Sequence, residues 1–442
     1  MLNSLHEEYR GIIEREPEKY HADFLKRKEL VNNSTAIYND RPVDFLYQGL
    51  FLSEEAFGEL GTLLEEITAI LEKVVRDYKE NPQFRKLFPF SPLMEELILL
   101  DPGYGVNFPM ARFDIFYRNN GEHIFCELNT DGSSGMNEIT IIQEVMEKSL
   151  AFAELKKNYE IKGFELFNSW LDVLLKNYRE FSGGMGDRPN IAIVDFTGDG
   201  IIYEFRAFQK VFRERGYNTF ICDPRELEYK GGKLYYKDNP INLIYRRATT
   251  MRIVEEAEDI GDFLSAYRDG AVCVIGGFVS QIIHNKALFA ILHEDDKMDF
   301  LTEKEKEFIK KHIPYTAILD INDGEIINML IAEKDQWIVK PLDQYAGRGV
   351  YIGRDFSTGE WEKIIKNLGN REYIYQEYIE TPVMPMPNFA ENKVSEDFGF
   401  LIGLYSYNYQ LAGLYTRAGR KNIIGNISES FTIPNYICRK PE

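Results

Sequence analysis

A chain of 442 residues exceeds what one ordinary hydrophobic core serves, so two or three packed units sharing interfaces are expected. Its 44% hydrophobic and 28% charged residues describe a globular protein, and a net charge of −19 argues against a nucleic-acid or anionic-membrane partner, which needs a basic face. Cys126, Cys222, Cys273 and Cys438 lie too far apart for a zinc site or a redox dithiol, no apolar run reaches transmembrane length, and the acid-bearing start MLNSLHEEYRGIIEREPEKYH does not read as a signal peptide; reduced thiols in a cytoplasmic protein are expected.

From the start to about Phe88, apolar residues recur at three and four positions, as over 54–78, which predicts a helical N-terminal region spanning 1–105. Over 107–129 the period changes to two around Asn120-Gly121, and a helical pattern follows from Asn137 to about Lys176, so a hairpin and helix form a second unit over 106–185. After the Gly- and Pro-bearing SGGMGDRPN come the apolar strand IAIVDF, a TGDG loop, a helix to Arg215, and the runs YNTFICDP, KLYYKD and INLIYRR, a βαβ-containing unit over 186–295. The TGDG loop is either an anion contact at a helix start or an ordinary strand-to-helix turn. From Trp337 the chain is strand-rich, with one helical stretch over 360–368, so 296–442 forms a further lobe.

The segment ARFDIFYRNNGEHIFCELNT carries the most information. A two-residue Asn120-Gly121 turn pairs Asn119 with Glu122 and thereby sets the register of both strands. One face then holds Phe113 opposite Leu128, Ile115 opposite Cys126 and Tyr117 opposite Ile124, all apolar and expected to be buried. The other face sets Phe116 opposite Phe125, Asp114 opposite Glu127 and Arg112 opposite Asn129, so two carboxylates meet. Facing like charges destabilise a sheet. A proton shared between the acids, Arg112 beside them, or a hard cation on Asp114, Glu127 and the Asn129 carbonyl would each offset this. With a cation there, amide replacement of either acid is expected to leave stability level or raised while metal-dependent turnover falls. On the residues alone, a solvated charged face is a further alternative.

No G-x-x-x-x-G-K-[ST] loop, G-x-G-x-x-G turn, H-E-x-x-H or G-x-S-x-G occurs. Lys340 ends the apolar strand WIVKP and is followed by Gly347 and Gly349. That arrangement lets backbone amides and a lysine meet phosphate oxygens, or is a plain turn.

Taken in order, RFD with ELNTDGSSG, IAIVDF, INLIYRR, HNKALFAIL, WIVKPLDQYAGRGVYIG, YIYQEYI and GLYTRAGRKNIIGN resemble the circularly permuted ATP-grasp enzymes. That group includes glutathionylspermidine synthetase and, more remotely, eukaryotic-type glutathione synthetase. The resemblance runs from Asn107 onward and implies an α+β, circularly permuted ATP-grasp fold of the glutathione synthetase kind. It implies an ADP-forming ligase that uses ATP and Mg2+ to join a carboxylate to an amine through an acyl phosphate. The metal ligands it implies are Asp114, Glu127 and Asn129, with Arg112 and Arg417 catalytic. The nucleotide contacts it implies are Lys286, Lys340, Gly347, Gly349, an adenine hinge at Gln376, Glu377 and Tyr378, and Asn426. Arg246 and Arg247 are implied on the substrate side, and the loop 343–349 is expected to close over the site. Small-molecule partners follow: an amino acid, peptide or polyamine. No Cys-His amidase unit is recognised, so amidase activity is not expected. Two rival readings are a nucleotide-binding protein of the same fold without turnover and a phosphotransferase that stops at a phosphorylated product.

Overall fold

The amphipathic stretches near the start fold as helices Leu2–Arg15, Pro17–Asn32 and Glu54–Glu80, in a computed structural model that describes residues 2–118, 120–184, 188–198, 201–344, 347–425 and 430–441. Ser53 caps the third helix by accepting the Ala56 amide, and Leu60, Leu64, Ile67, Leu71 and Val74 form its buried stripe. The region is not wholly helical. Its strand Leu50–Ser53 runs parallel to Asn435–Arg439, which pairs on its other side with Glu160–Lys162. The same strand breaks the helical run expected up to Lys176 into Met136–Met146, Leu150–Leu155 and Phe167–Phe181. Local periodicity cannot register this, because the strand that recruits both segments lies at the far end of the sequence.

Strands Ile191–Val194, Thr219–Cys222, Leu243–Arg246 and Cys273–Ile275 form an all-parallel sheet in the spatial order fourth, third, first, second. Its two faces are both buried, as a parallel sheet requires. Ile191 and Ile193 face a cluster with Trp170, Leu174, Phe205 and Phe208, whereas Ala192 and Val194 enter the principal core.

The strand-rich part separates into two antiparallel sheets. Thr316–Ile318, Tyr373–Glu377, Trp337–Pro341 and Tyr351–Ile352 form one, packed over Leu330, Val339, Trp361 and Ile365. In the other, Ser430–Ile433, Gln410–Gly419 and Lys393–Tyr407 continue into the hairpin Met110–Phe116 and Ile124–Asn129. Residues from distant parts of the sequence therefore share one sheet, in an α+β architecture.

Within the hairpin, Arg112 faces Asn129, Phe113 faces Leu128 and Asp114 faces Glu127, but a bulge at Cys126 then shifts the register. Ile115 faces Phe125 and Phe116 faces Ile124, in place of the expected Ile115–Cys126, Phe116–Phe125 and Tyr117–Ile124 pairs. The connection is longer than a two-residue turn: the ladder stops at Phe116 and Ile124, and the Arg118 amide donates to His123 Nδ1 at 3.0 Å. Asn119, and with it the expected Asn119–Glu122 pair, lies outside the described residues. The bulge compensates for that different turn before the acids are reached. It also turns Phe125 into the core, edge-on to Phe113 at 6.2 Å, and leaves Cys126 on the polar side.

The four cysteines form no disulfide, and no helix among the described residues is long and apolar enough to cross a membrane. Since Leu128 is 4% exposed and faces Phe113, Leu128→Ala is expected to lower stability by roughly 2 to 5 kcal/mol in urea denaturation.

Candidate active site

A cleft of about 720 Å3 opens between the hairpin sheet, the four-stranded antiparallel sheet and the C-terminal ends of the parallel strands. Its volume lies within the ordinary range of ligand sites. On its walls stand Arg112, Asp114, Glu127, Asn129, Arg247, Lys286, Lys340, Gly347, Gln376, Glu377 and Arg417. The structure thus brings together eleven of the side chains and loop positions singled out in the sequence.

At its base lies a buried ion cluster. Arg112 donates Nε and Nη2 to the two oxygens of Asp114 at 2.9 and 3.2 Å, and Arg417 Nη2 reaches Asp114 Oδ2 at 2.6 Å. Asp114 is 0% exposed. The strand partner of Asp114 is Gly403, and a Cβ there would stand 2.7 Å from Asp114 Oδ1 and 2.8 Å from Arg112 Cδ. Glycine leaves the space that the Asp114–Arg112 pair occupies, and Arg417, one strand further on and opposite Leu401, reaches Asp114 as well. A glycine inside a strand signals such a close approach, and this one carried the missed information.

The carboxyl pKa values of the facing acids are shifted in opposite directions. Burial pushes Asp114 above the usual carboxyl range, only partly opposed by Arg112 and Arg417, while Glu127 adds to the rise. Burial acts on Glu127 in the same sense, but Lys286, Arg417, the Asn129 amide and Arg112 together outweigh it and hold that carboxyl well below the usual range. Of the ways to offset the repulsion, the structure shows Arg112 beside Asp114, with Arg417 added. Asn129 Nδ2 donates to Glu127 Oε1 at 2.9 Å.

The hard-cation reading fits this donor set in part. Glu127 is an ionised carboxylate with one oxygen beyond the Asn129 bond, and the Asn129 carbonyl stands beside it; these are the donors magnesium takes along with substrate phosphates. Asp114 has both oxygens committed to guanidinium groups, and no group of three acidic, His or Cys side chains is arranged as a metal cage among the described residues.

On the opposite wall, Lys340 Nζ donates to Gln376 Oε1 at 2.7 Å and to the Cys126 carbonyl at 3.3 Å. Burial lowers its ammonium pKa, against the pull of Cys126 and Glu127. Lys286, at the start of helix Ala287–Leu292, donates to the Gln344 carbonyl at 2.9 Å. Gly347 and Gly349 have φ of +72° and +70°, left-handed values that explain glycine at both positions. Gly349 sits against Pro341 rather than on the cleft wall.

Two expected site residues stand elsewhere. Tyr378 lies off the wall, under the Arg354 guanidinium at 4.3 Å, with its hydroxyl donating to Asn422 at 3.1 Å. The amides of Glu377 and Tyr378 are already bonded to Tyr315 and Gln336, while Ile379, which no sequence pattern marked, lines the cleft. Arg246 is also off the wall. It pairs with Asp131 at 2.8 Å and donates to the Ala248, Gly276 and Gly277 carbonyls, so it buttresses the loop TDGSSG from behind. Arg247 does reach the cleft, although it donates to the Ser133 carbonyl and to Glu204 at 3.1 Å. Asn426 lies outside the described residues, as do Asp199 and Gly200 of the TGDG loop. The Thr197 amide of that loop donates to Asp223 at 2.8 Å.

Glu204 is the other residue that pattern reasoning missed. It is 0% exposed and accepts the amides of Gly135 and Met136 at 2.9 and 2.8 Å, tying the start of helix Met136–Met146 to the parallel-sheet unit.

The profile described as circularly permuted ATP-grasp type 2 matches residues 90–397. A glutathione synthetase-like effector from Globodera pallida, in its apo form, superposes with a TM-score of 0.56 at 11% identity, covering 96% of this chain and 98% of that one. That likeness is one of fold. A putative gamma-glutamylcysteine synthetase from Methylobacillus flagellatus aligns with a TM-score of 0.37 at 12% identity over 81% of this chain and 83% of its own. Among curated proteins, the ATP-grasp enzyme ankG of Aspergillus thermomutatus is 21% identical over 217 residues, 45% of this chain, and the match spans 44% of that relative's length.

Asp114→Asn would leave two buried guanidinium groups facing each other. In place of the level or raised stability expected from relief of acid–acid repulsion, a loss of roughly 3 to 5 kcal/mol in urea denaturation is expected. Glu127 has the opposite sign of shift from Asp114. Its folded carboxyl is depressed, so its contribution is complete above about pH 4.3 and lost as the pH falls below that. Glu127→Gln should therefore flatten the decline of Tm on acidification below about pH 4.3, read by circular dichroism melts.

Proposed function

Because the chain belongs to the circularly permuted ATP-grasp type 2 family, we propose that it is an ADP-forming ligase that activates a carboxylate as an acyl phosphate and transfers the acyl group to an amine. The observation that carries this reading is the convergence of Arg112, Arg417, Lys286 and Lys340 with Glu127 and Asn129 on one cleft. Four cationic side chains around two oxygen donors suit a triphosphate and its metal better than a neutral ligand.

In this reading Lys286 and Lys340 hold the phosphates of ATP, and the backbone of 347–349 approaches them. With the Glu377 and Tyr378 amides used inside the sheet, the groups left at the hinge for adenine are the Glu377 carbonyl and the Ile379 amide. Glu127 and Asn129 would hold magnesium, which supplies charge neutralisation on the phosphates; Asp114 joins them only when a guanidinium releases it. The substrate carboxylate attacks the γ-phosphorus, ADP leaves, and Arg112 and Arg417 neutralise charge on the transferring group. An amine then attacks the acyl carbon and inorganic phosphate departs. Closure of the loop 343–349 would keep water from the acyl phosphate. A reducing compartment such as the cytoplasm suits four unpaired thiols. The finer identity, an acid and an amine like those of glutathionylspermidine synthesis, is part of the proposal and calls for a panel of amino acids, peptides and polyamines.

ATP with magnesium is expected to raise Tm, and GTP to raise it less. In the panel, ADP and inorganic phosphate should be released only when an acid and an amine are present together, with the product identified by mass. Arg417→Lys should lower that turnover by about a hundredfold or more. Release with the acid alone would turn the reading to a phosphotransferase. Binding without release for any pair would leave a nucleotide-binding protein.

A further inference from the structure

If the chain is the proposed ligase, a second substrate, an amine, must reach the acyl phosphate in this cleft. Glu138, on the first turn of helix Met136–Met146, is 4% exposed yet forms part of the cleft wall. One of its carboxyl oxygens accepts the Tyr415 hydroxyl at 3.3 Å; the other is buried with no hydrogen-bond partner. Among the described residues no lysine, arginine or histidine forms an ion pair with it.

The groups around it are spoken for. Glu204 is paired with Arg247 and capped by helix amides. Arg112 is bound to Asp114 and the Ser134 carbonyl, and it lies over the Tyr415 ring at 5.3 Å. Arg417 lies over the same ring at 5.7 Å and is committed to Asp114. Tyr405 donates to the Ser134 carbonyl. A buried carboxyl oxygen left without a partner is costly, and a cation arriving from the cleft would offset that cost. Burial, with Glu204 next, pushes the Glu138 carboxyl up to about 7, where it both gives and takes a proton near neutrality. Its neighbours Arg112 and Arg417 are the groups the ligase reading sets around the transferring phosphoryl.

We propose that Glu138 receives the substrate's amine: its carboxylate binds the ammonium group and then accepts one of its protons, freeing the nitrogen lone pair for attack on the acyl carbon. The N–H bond breaks toward the carboxylate and the new N–C bond forms. The C–O bond to phosphate breaks with its electron pair, and a second proton from nitrogen leaves with inorganic phosphate. The amine class this site takes is a primary alkylammonium.

The test is calorimetry on the full chain with ADP and magnesium, using cadaverine and ethanolamine as alkylammonium probes, so that no turnover is needed. For the wild type, at least one probe should bind, with affinity rising roughly tenfold from about pH 6 to about pH 8 as the carboxyl ionises. Glu138→Gln, of the same size, should bind it at least about tenfold more weakly at the upper pH and lose the pH rise. Glu138→Asp should bind it with intermediate affinity and keep the rise, which covers the case in which the amide variant fails to fold. ADP affinity should stay within about twofold in both. Probe binding by Glu138→Gln equal to the wild type, no probe binding by the wild type while ADP binds, or equal losses of ADP and probe binding in both variants would overturn the proposal. If the wild type binds no ADP, the ligase reading fails first. An acid-only release of ADP in the substrate panel would likewise remove that reading while leaving ammonium binding at Glu138 measurable.

Discussion

Three side chains, Arg112, Asp114 and Arg417, hold the centre of this molecule. Two of them come from the hairpin and one from a strand some three hundred positions later, and Gly403 on the strand between leaves room for the Asp114–Arg112 pair. A single carboxylate between two buried guanidinium groups is stable only if all three are present, since loss of any member strands an uncompensated charge in a poorly hydrated place. The ion cluster therefore does two things at once. It fastens the hairpin into the late sheet, and it fixes the direction of two cationic groups that face the cleft.

The loop TDGSSG shows the same use of buried charge for position. Arg246 and Asp131 brace it from below, while Arg247, Arg112 and the Tyr405 hydroxyl donate to its Ser133 and Ser134 carbonyls. Glu204 closes the arrangement by capping the helix that follows. Apart from the bond from Arg112, these contacts join the parallel-sheet unit or the late sheet to the hairpin unit. Backbone carbonyls held by charged donors from two sides have little freedom to move, and a rigid loop beside a reacting group is what a positioning site requires. This also accounts for adjacent arginines with different fates: successive residues of a strand point to opposite faces, so Arg246 turns behind the loop while Arg247 turns toward the cleft.

Glu127 and Asp114 occupy facing positions on neighbouring strands, yet their environments push their protonation in opposite directions. Both burial and neighbours differ, since Asp114 is fully buried and Glu127 only partly. Lys286 on the far wall acts on Glu127 first, whereas Asp114 depends on guanidinium groups whose attraction burial outweighs. In the proposed ligase, two carboxylates that differ this way would divide the work, Glu127 as an anionic ligand and Asp114 as the group that orients the arginines.

The fold class was legible through the family resemblance, and the hairpin strands and the meeting of Asp114 with Glu127 through the residues themselves, because alternating hydrophobicity and a glycine turn signal are local properties of a hairpin. Even with the turn misjudged, the register at the acids held, since the bulge at Cys126 compensated for the longer connection. Lys340 was singled out by its place at the end of a short apolar strand before two glycines, whereas Gln376 followed only from the family resemblance. What the sequence by itself could not determine depended on contacts between segments far apart in the chain. The strand Asn435–Arg439 turned parts of two helical regions into a sheet, Arg417 reached Asp114 from another strand of the late sheet, and Glu204 capped a helix in another unit. Arg246 was removed from the cleft by a partner, Asp131, that no spacing pointed to. A side chain's role at such a site is decided by which charges surround it once the chain has packed, and that energy belongs to the tertiary structure rather than to any window of sequence.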